Sequence, residues 1–233
     1  MSKEIPRVFL ITFANSKYEL NARLLVNACI KRGWANSRIF GPSDLDPRFK
    51  EKHKMILMLE RGAGYWLWKP YVVLQSLYNL DEGDVVVYCD AAIKVYVNSN
   101  WILENMENRD VLIFEQGDNQ RISMWTAPSV LEATHSQTLA RENMVWAGFF
   151  AIRKSESSLR FIQTWLDLCS DPTLLCPDSD PKYLPTKEIW HRHDQSLLSI
   201  LVHQHRNEAR VLRHPRYSGA DYKYVYTYRD SRY

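Results

Sequence analysis

The sequence predicts an α/β protein with a mainly parallel central sheet flanked by helices. The chain opens with an apolar strand at residues 7–13, a helix at 19–32 and a short strand at 37–40. This β-α-β unit is typical of doubly wound domains, in which parallel strands alternate with helices. A second observation is the β-branched run at residues 84–87, whose continuous apolar character is typical of a strand buried on both faces.

Length and composition indicate a single domain over residues 1–233. The 233 residues are 45% hydrophobic and 24% charged, which suffices for a sizeable core, and no linker or repeat divides them. The net charge of +3 is scattered, so the sequence shows no basic patch for nucleic acid. From about residue 213 the chain is basic and tyrosine-rich, which suits phosphates, an acidic partner, a membrane surface or simply a solvated face.

The cysteine pattern and the chain start predict a cytoplasmic protein. No signal peptide, lipidation motif or apolar run long enough for a transmembrane segment is evident. Peripheral contact with a membrane surface stays open because of the basic C-terminal segment. The four cysteines lack both paired and zinc-binding spacing, so we expect reduced and mostly buried thiols. These are Cys29, Cys89, Cys169 and Cys176.

An aromatic stretch, GYWLWKPY, separates two predicted helices in the first half of the chain. A helix at 49–59 is broken by the glycines at positions 62 and 64. Pro70 suits the first position of the next helix, which is predicted to reach residue 80. Lys69 would then stand just ahead of a helix N-terminus, which attracts anions. Neither GxGxxG nor GxxxxGK[ST] follows the first strand, so a dinucleotide fingerprint and a P-loop are not supported.

The second half continues the alternation of strands and helices. The Pro-, Asp- and Ser-rich run at 171–187 is predicted to be a loop over the site. A glycine lies inside the strand predicted at 144–152, where it often marks a close approach of backbone to ligand. Strands are predicted at 93–97, 111–114, 144–152 and 210–212, and helices at 101–107, 129–135, 155–169 and 196–205.

Asp90 stands where the central strand meets a loop, in the segment YCDAA. In open α/β sheets ligands bind at the carboxyl ends of the strands, so this carboxylate lies at the expected binding edge. A buried charge is costly unless it is paired. A divalent cation that holds a diphosphate would supply the partner, and a carboxylate that only caps the strand end is the structural alternative.

Four segments in this order resemble small GT-A-type glycosyltransferases. They are GYWLWKPY, GDVVVYCDAA, WAGFFAIRKS with a following Trp-bearing helix, and HRHDQSLLSIL. The resemblance covers roughly residues 5–215 and points to the enzymes that build surface polysaccharides and glycans. It implies a GT-A-like single domain that moves a hexose from a UDP- or GDP-linked sugar to a hydroxyl of a glycan or polysaccharide acceptor. It also implies Mn²⁺ or Mg²⁺ as a cofactor.

The resemblance places Asp90 in the role of the acid that binds the metal and, through it, the donor diphosphate. The sequence departs from the family at Ala92, where a second acid would stand. Lys69, or tail residues such as Arg213 and His214, could supply the missing diphosphate contacts or complete the metal shell. In such enzymes the leaving diphosphate must be neutralised.

Asp194 and Gln195 match an Asp-Gln pair that opens a late helix in several such families. In an inverting enzyme Asp194 would accept the proton of the acceptor hydroxyl, and in a retaining enzyme it would bind sugar hydroxyls. The structural alternative is an N-cap for the helix predicted from Ser196. His191 and His193 flank this acid without the spacing of a zinc site.

The resemblance also implies a donor-binding set at the strand ends. The end of the first strand is where the nucleobase and ribose lie in the family, and small residues near position 148 border the donor sugar. Trp66 and Trp68 alternate, so one could stack on a base or sugar while the other packs in the core. The donor-binding set is Thr12, Phe13, Ala14, Lys69, Tyr88, Asp90, Ala91, Ala92, Ala147, Gly148 and Gln195.

Two rival functions remain open at the level of sequence. A catalytically degenerate protein of the same fold, binding a nucleotide or glycan without chemistry, is favoured by Ala92. A nucleotidyltransferase or phosphosugar hydrolase usually needs several acids around two metals, whereas the sequence shows one isolated acid at a strand end.

Overall fold

The computed structural model describes residues 5–117, 119–177, 191–213 and 225–227. A six-stranded sheet in the order β2-β1-β3-β6-β5-β7 forms its centre, and β4 pairs with β8 in a second, two-stranded sheet. The strands are β1 (Val8–Phe13), β2 (Asn36–Phe40), β3 (Val85–Cys89), β4 (Ile93–Val95), β5 (Val111–Glu115), β6 (Val145–Arg153), β7 (Ala209–Arg213) and β8 (Val225–Thr227).

Helices cover both faces of the central sheet. Short 3₁₀ turns at Pro42–Asp44 and Gln137–Leu139 join some of them. The helices are α1 (Glu19–Ile30), α2 (Pro47–Lys52), α3 (Lys54–Leu57), the single turn α4 (Gly62–Tyr65), α5 (Trp68–Tyr78), α6 (Ser99–Met106), α7 (Ile122–Trp125), α8 (Pro128–Ala133), α9 (Glu156–Ser170), α10 (Pro172–Leu175) and α11 (Asp194–Gln204).

The predicted fold class, a mainly parallel α/β sheet flanked by helices, is confirmed. β2, β1, β3, β5 and β7 point the same way, because β2–β1, β1–β3 and β5–β7 pair in parallel and β6 runs against both of its neighbours. The carboxyl ends of the five parallel strands therefore share one edge of the sheet. Every residue of β3 is buried, as its unbroken apolar run predicted.

The core is divided by the sheet into two hydrophobic layers. One layer packs α5, α9 and α11 against the sheet, with Trp165 and Phe150 near its centre. The other packs α1 and α6 against the opposite face, with Phe149 and Ile102 fully buried. Residues 149 and 150 face opposite layers because successive side chains of a strand alternate. All four cysteines are buried free thiols, as predicted.

Several predicted helix boundaries differ from the structure. The helix predicted at 49–59 is divided at His53 into α2 and α3. Pro70 is not the first residue of α5, which begins at Trp68, so Lys69 lies inside the first turn. Proline is tolerated there because the first amides of a helix have no intrahelical acceptor. Within the described ranges, no helix is both long and apolar enough to cross a membrane.

Candidate functional site

Asp90 lies directly after β3, at the carboxyl edge of the sheet. Its backbone N–H donates to the carbonyl of Gly148 at 2.8 Å, and its carbonyl accepts from Ile93 at 2.9 Å, which closes a tight turn through Ala91 and Ala92. The hydroxyl of Tyr88 donates to Oδ1 of Asp90 at 2.6 Å. The Asp90 side chain is 41% exposed, so it can meet a ligand from solvent while one of its oxygens is held.

Lys69 joins Asp90 to Asp194. The Lys69 side chain is only 4% exposed, and its Nζ lies 2.9 Å from Oδ2 of Asp194 and 3.6 Å from Oδ1 of Asp90. Burial by itself lowers the pKa of Lys69, but the charges of Asp194 and Asp90 outweigh it and leave the pKa above its usual value. Lys69 is therefore a permanent cation between two carboxylates. We call Lys69, Tyr88, Asp90 and Asp194 the charge cluster.

Asp194 is the buried acid of the charge cluster. Burial raises its pKa to about 6, although the charge of Lys69 acts in the opposite direction. Its backbone carbonyl accepts a hydrogen bond from Nε1 of Trp165 at 3.0 Å, which ties the start of α11 to α9. The structural alternative for Asp194, an N-cap of a helix that starts at Ser196, does not hold: α11 begins at Asp194 itself, and His193 precedes it with φ 51° and ψ −120°.

A bulge in β6 shapes the floor of this site. Ile113 pairs with Phe150 and Glu115 with Val145, so two steps along β5 match five along β6. Such bulges re-aim backbone groups. Here the carbonyl of Ala147 accepts a hydrogen bond from Nζ of Lys69 at 3.2 Å.

Gly148, in the same bulge, leaves room for two larger side chains. A Cβ on Gly148 would lie 2.7 Å from Nε1 of Trp146 and 3.1 Å from Oδ2 of Asp90. The indole of Trp146 and the exposed acid thus share the space that the missing side chain leaves. Trp146 was absent from the predicted donor set, and its position two residues from the glycine was the only signal for it.

The turn at residues 62–66 is left-handed throughout. Gly62, Ala63, Gly64, Tyr65 and Trp66 all have φ between 51° and 94°. Non-glycine residues are strained in this region, and such strain concentrates at functional sites. The turn is held by Nε1 of Trp68, which donates to the carbonyl of Gly62 at 2.9 Å. The ring centroids of Tyr65 and His193 lie 4.3 Å apart. The left-handed turn therefore meets the strained residue that precedes Asp194.

The end of β1 provides a buried aromatic stack. Phe13 stacks on Trp68 with ring centroids 3.8 Å apart, so Trp68 is the core member of the tryptophan pair and Trp66 is half-buried. Thr12 is fully buried, and its hydroxyl has no hydrogen-bond partner among the residues that the structure describes. Ala14 follows at the edge, where its amide donates to the carbonyl of Phe40 at 2.8 Å.

Gln195 belongs to a second polar group, at the end of β5. Its side-chain amide donates to Oε1 of Gln116 at 3.2 Å, and the guanidinium of Arg192 donates to the same oxygen at 3.0 Å. The Arg192 guanidinium also lies 3.6 Å from the centre of the Trp125 ring. Because β6 separates β3 from β5, this group is set apart from Asp90 along the sheet edge. Neither Gln116 nor Trp125 was indicated by any sequence pattern.

The two histidines before α11 make structural contacts. Burial, and secondarily the neighbouring His193, lowers the pKa of His191 to about 3. Nδ1 of His191 accepts from the backbone N–H of Ala127 at 3.3 Å, and Nδ1 of His193 lies 2.8 Å from the carbonyl of Leu175. These contacts fix the segment that leads into Asp194.

A divalent cation would be held at this site by Asp90 together with phosphate oxygens. Among the described residues, no three His, Cys, Asp or Glu side chains converge on a common point. Asp90 nevertheless offers one exposed carboxylate, and Mg²⁺ is commonly held by one or two carboxylates plus substrate phosphates. His214 lies outside the described residues, and Arg213 is described only through its backbone in β7.

The fold is similar to those of solved glycosyltransferases, although neither a protein-family model nor a curated protein matches the sequence. The WbbM bifunctional glycosyltransferase superposes with a TM-score of 0.52 and 11% identity over 90% of this chain, which spans 39% of the WbbM chain. Mouse xyloside xylosyltransferase 1 gives a TM-score of 0.49 and 10% identity over 89% of this chain and 84% of that one.

A glycosyltransferase involved in the glycosylation of the major capsid of PBCV-1 gives a TM-score of 0.46 and 10% identity, over 90% of this chain and 82% of that one. The likeness to WbbM, with the mainly parallel sheet and its single reversed strand, shows the fold. The chain has the α/β fold of GT-A-like glycosyltransferases.

Proposed function

We propose that the protein is a glycosyltransferase that moves a hexose from a UDP- or GDP-linked sugar to a hydroxyl of a glycan or polysaccharide. The observation that carries the proposal is the charge cluster, in which Lys69 ties an exposed acid, Asp90, to a buried acid, Asp194. One acid can face the donor diphosphate while the other is kept in the drier interior. The glycosyltransferase fold supports the same reading.

Asp90 is the residue that we assign to the donor diphosphate. It would hold Mn²⁺ or Mg²⁺ together with the phosphate oxygens, and the bound cation would neutralise the charge of the leaving diphosphate. Tyr88 fixes Oδ1 of Asp90 through its 2.6 Å hydrogen bond, which leaves Oδ2 as the atom for the ligand. The small residues Ala91, Ala92 and Gly148 border the donor sugar in this proposal, and Thr12–Ala14 border the nucleoside.

Asp194 is the residue that we assign to the acceptor side. With a pKa of about 6 it is ionised at neutral pH yet remains basic enough to take a proton from a hydroxyl. This role belongs to an inverting reaction. In a retaining reaction the same carboxylate would accept hydrogen bonds from donor hydroxyls, and the anomer of the product distinguishes the two.

A second candidate is a protein of the same fold that binds a nucleotide or glycan without chemistry. The feature that favours it is Ala92, which stands where a second acid would strengthen the hold on a metal. Both candidates place the protein in the cytoplasm or at a membrane surface, since the four buried free thiols suit a reducing compartment.

Two measurements separate the two candidates. The first is calorimetry with UDP and GDP, with and without Mn²⁺, and the second is a hydrolysis assay on a panel of sugar nucleotides. Metal-dependent nucleotide binding with donor turnover supports the transferase. Binding without turnover of any donor, with or without a glycan acceptor, supports the binding protein. Absence of nucleotide binding in every condition would contradict the transferase and leave only a glycan-binding protein.

A further inference from the structure

The charge cluster has one cation for two carboxylates. With Lys69 protonated and Asp90 and Asp194 ionised, its formal charge is one negative unit. Tyr88 is neutral, because burial and the nearby Asp90 raise the pKa of its hydroxyl well above the usual value. Removing the Lys69 charge would therefore double the negative charge of the cluster.

Lys69 is surrounded by protein oxygens. An ammonium has three N–H donors, and Nζ has three oxygen neighbours: the Ala147 carbonyl at 3.2 Å, Asp194 Oδ2 at 2.9 Å and Asp90 Oδ1 at 3.6 Å. The residue is only 3% exposed. In this arrangement Lys69 would act on a donor through Asp90, and the direct contact of Lys69 with phosphate that the sequence suggested stays a prediction.

The two carboxylates hold Lys69 unequally. Asp194 is the nearer partner and its side chain is 5% exposed, whereas Asp90 is the more distant partner and is 41% exposed. Oδ2 of Asp90 can meet an incoming cation while Asp194 continues to neutralise the ammonium. When Asp90 binds a cation, no buried charge is left unpaired, because Lys69 keeps Asp194 as its partner. Cation binding is therefore energetically feasible.

We propose that Lys69 is a built-in counter-ion that weakens the hold of this site on a free divalent cation, so that a cation binds tightly only together with a diphosphate. The inference rests on the proposed function. An ammonium 3.6 Å from Oδ1 of Asp90 offsets the attraction of that carboxylate for a bare dication, whereas a cation already bound to phosphate oxygens carries little net positive charge. Ala92 leaves no second acid at this turn to strengthen that attraction.

The test is Mn²⁺ binding to the whole protein, measured by water-proton relaxation enhancement with and without UDP or GDP. The wild-type protein is expected to bind Mn²⁺ at least tenfold more tightly with nucleotide than without it. The relaxation signal of the Mn²⁺–nucleotide complex that forms without protein is subtracted first. Lys69→Met is expected to bind Mn²⁺ without nucleotide about tenfold more tightly than the wild type. Lys52→Met, which removes an exposed charge, is the matched control and should leave Mn²⁺ binding unchanged.

A double variant protects the test against loss of folding. Lys69→Met alone leaves the Asp194 charge buried and unpaired, whereas Lys69→Met with Asp194→Asn removes both members of the pair and leaves Asp90 free of the ammonium. The double variant should also bind Mn²⁺ more tightly than the wild type without nucleotide. Unchanged Mn²⁺ affinity in both variants, or equal wild-type affinity with and without nucleotide, would overturn the inference and leave the proposed transfer intact. Failure of UDP and GDP to bind in every arm would remove the proposed function and this inference with it.

Discussion

Nζ of Lys69 in α5 lies 2.9 Å from Oδ2 of Asp194 in α11, and both side chains are almost completely buried. The two helices belong to distant parts of the sequence and meet on one face of the sheet. A buried ion pair adds little net stability over an apolar pair, but the loss of one member leaves an uncompensated charge. The pair is therefore sensitive to single substitutions.

Lys69→Met should destabilise the protein by about 3–5 kcal/mol, because it leaves the Asp194 carboxylate buried without its cation. Urea unfolding at neutral pH measures the effect. The exposed Lys52→Met should change the free energy of unfolding by less than about 0.5 kcal/mol. Equal stabilities of the two variants would contradict the sensitivity of the buried Lys69–Asp194 pair to the loss of one member.

Transfer activity should fall as the pH drops through about 6. The pKa of Asp194 is raised to about 6, and the ionised form is the one that accepts a proton, so protonation at lower pH removes the base. The logarithm of kcat/KM should decrease with a slope of one below that pH and level off above it. A profile that is flat between pH 5 and 8 on a stable protein would exclude Asp194 as the base.

Gly148→Ala should impair both folding and donor binding. The added Cβ would meet Nε1 of Trp146 at 2.7 Å and Oδ2 of Asp90 at 3.1 Å, which forces one of them to move. Overpacking of this kind costs about 1–3 kcal/mol. The double variant Gly148→Ala with Trp146→Leu should recover the stability measured by thermal unfolding, since it removes the indole. A single variant as stable as the wild type would contradict the close approach of Trp146 and Asp90 to Gly148.

Ala63→Gly should stabilise the protein by up to about 1 kcal/mol, because Ala63 is held at φ 51° and ψ 53°, where a Cβ is strained. The matched control is Ala28→Gly in the interior of α1, which should instead cost about 1 kcal/mol. Opposite signs for the two substitutions in denaturant unfolding would confirm the left-handed turn. Destabilisation by both would contradict it.

The sequence predicted the sheet better than it predicted the site. β3 is an unbroken apolar run bounded by a turn and an acid, so local pattern was enough to place both the strand and Asp90 at its end. The direction of β6 could not be predicted, because a strand buried on both faces has the same continuous apolar pattern whether it runs parallel or antiparallel to its neighbours. Its bulge was indicated only by Gly148.

The pairing of Lys69 with Asp194 depends on tertiary packing, which local propensity does not describe. The sequence placed Lys69 ahead of a helix that starts at Pro70, but α5 begins two residues earlier, at Trp68, and turns the Lys69 side chain into the core. The left-handed turn before it includes Ala63, Tyr65 and Trp66, whose types carry no preference for positive φ. Strain imposed by the surrounding fold is the usual reason for such a disagreement between residue type and backbone.

Asp90→Asn provides the most direct measurement of the proposed transfer. The side chain is 41% exposed, so the variant should keep its free energy of unfolding within about 1 kcal/mol of the wild type. The exposed Asp167→Asn is the matched control. In a donor-turnover assay over UDP- and GDP-linked sugars with Mn²⁺, Asp90→Asn should abolish the turnover that the wild type and the control show. Turnover by Asp90→Asn at the wild-type rate would contradict the assignment of this acid to the donor diphosphate.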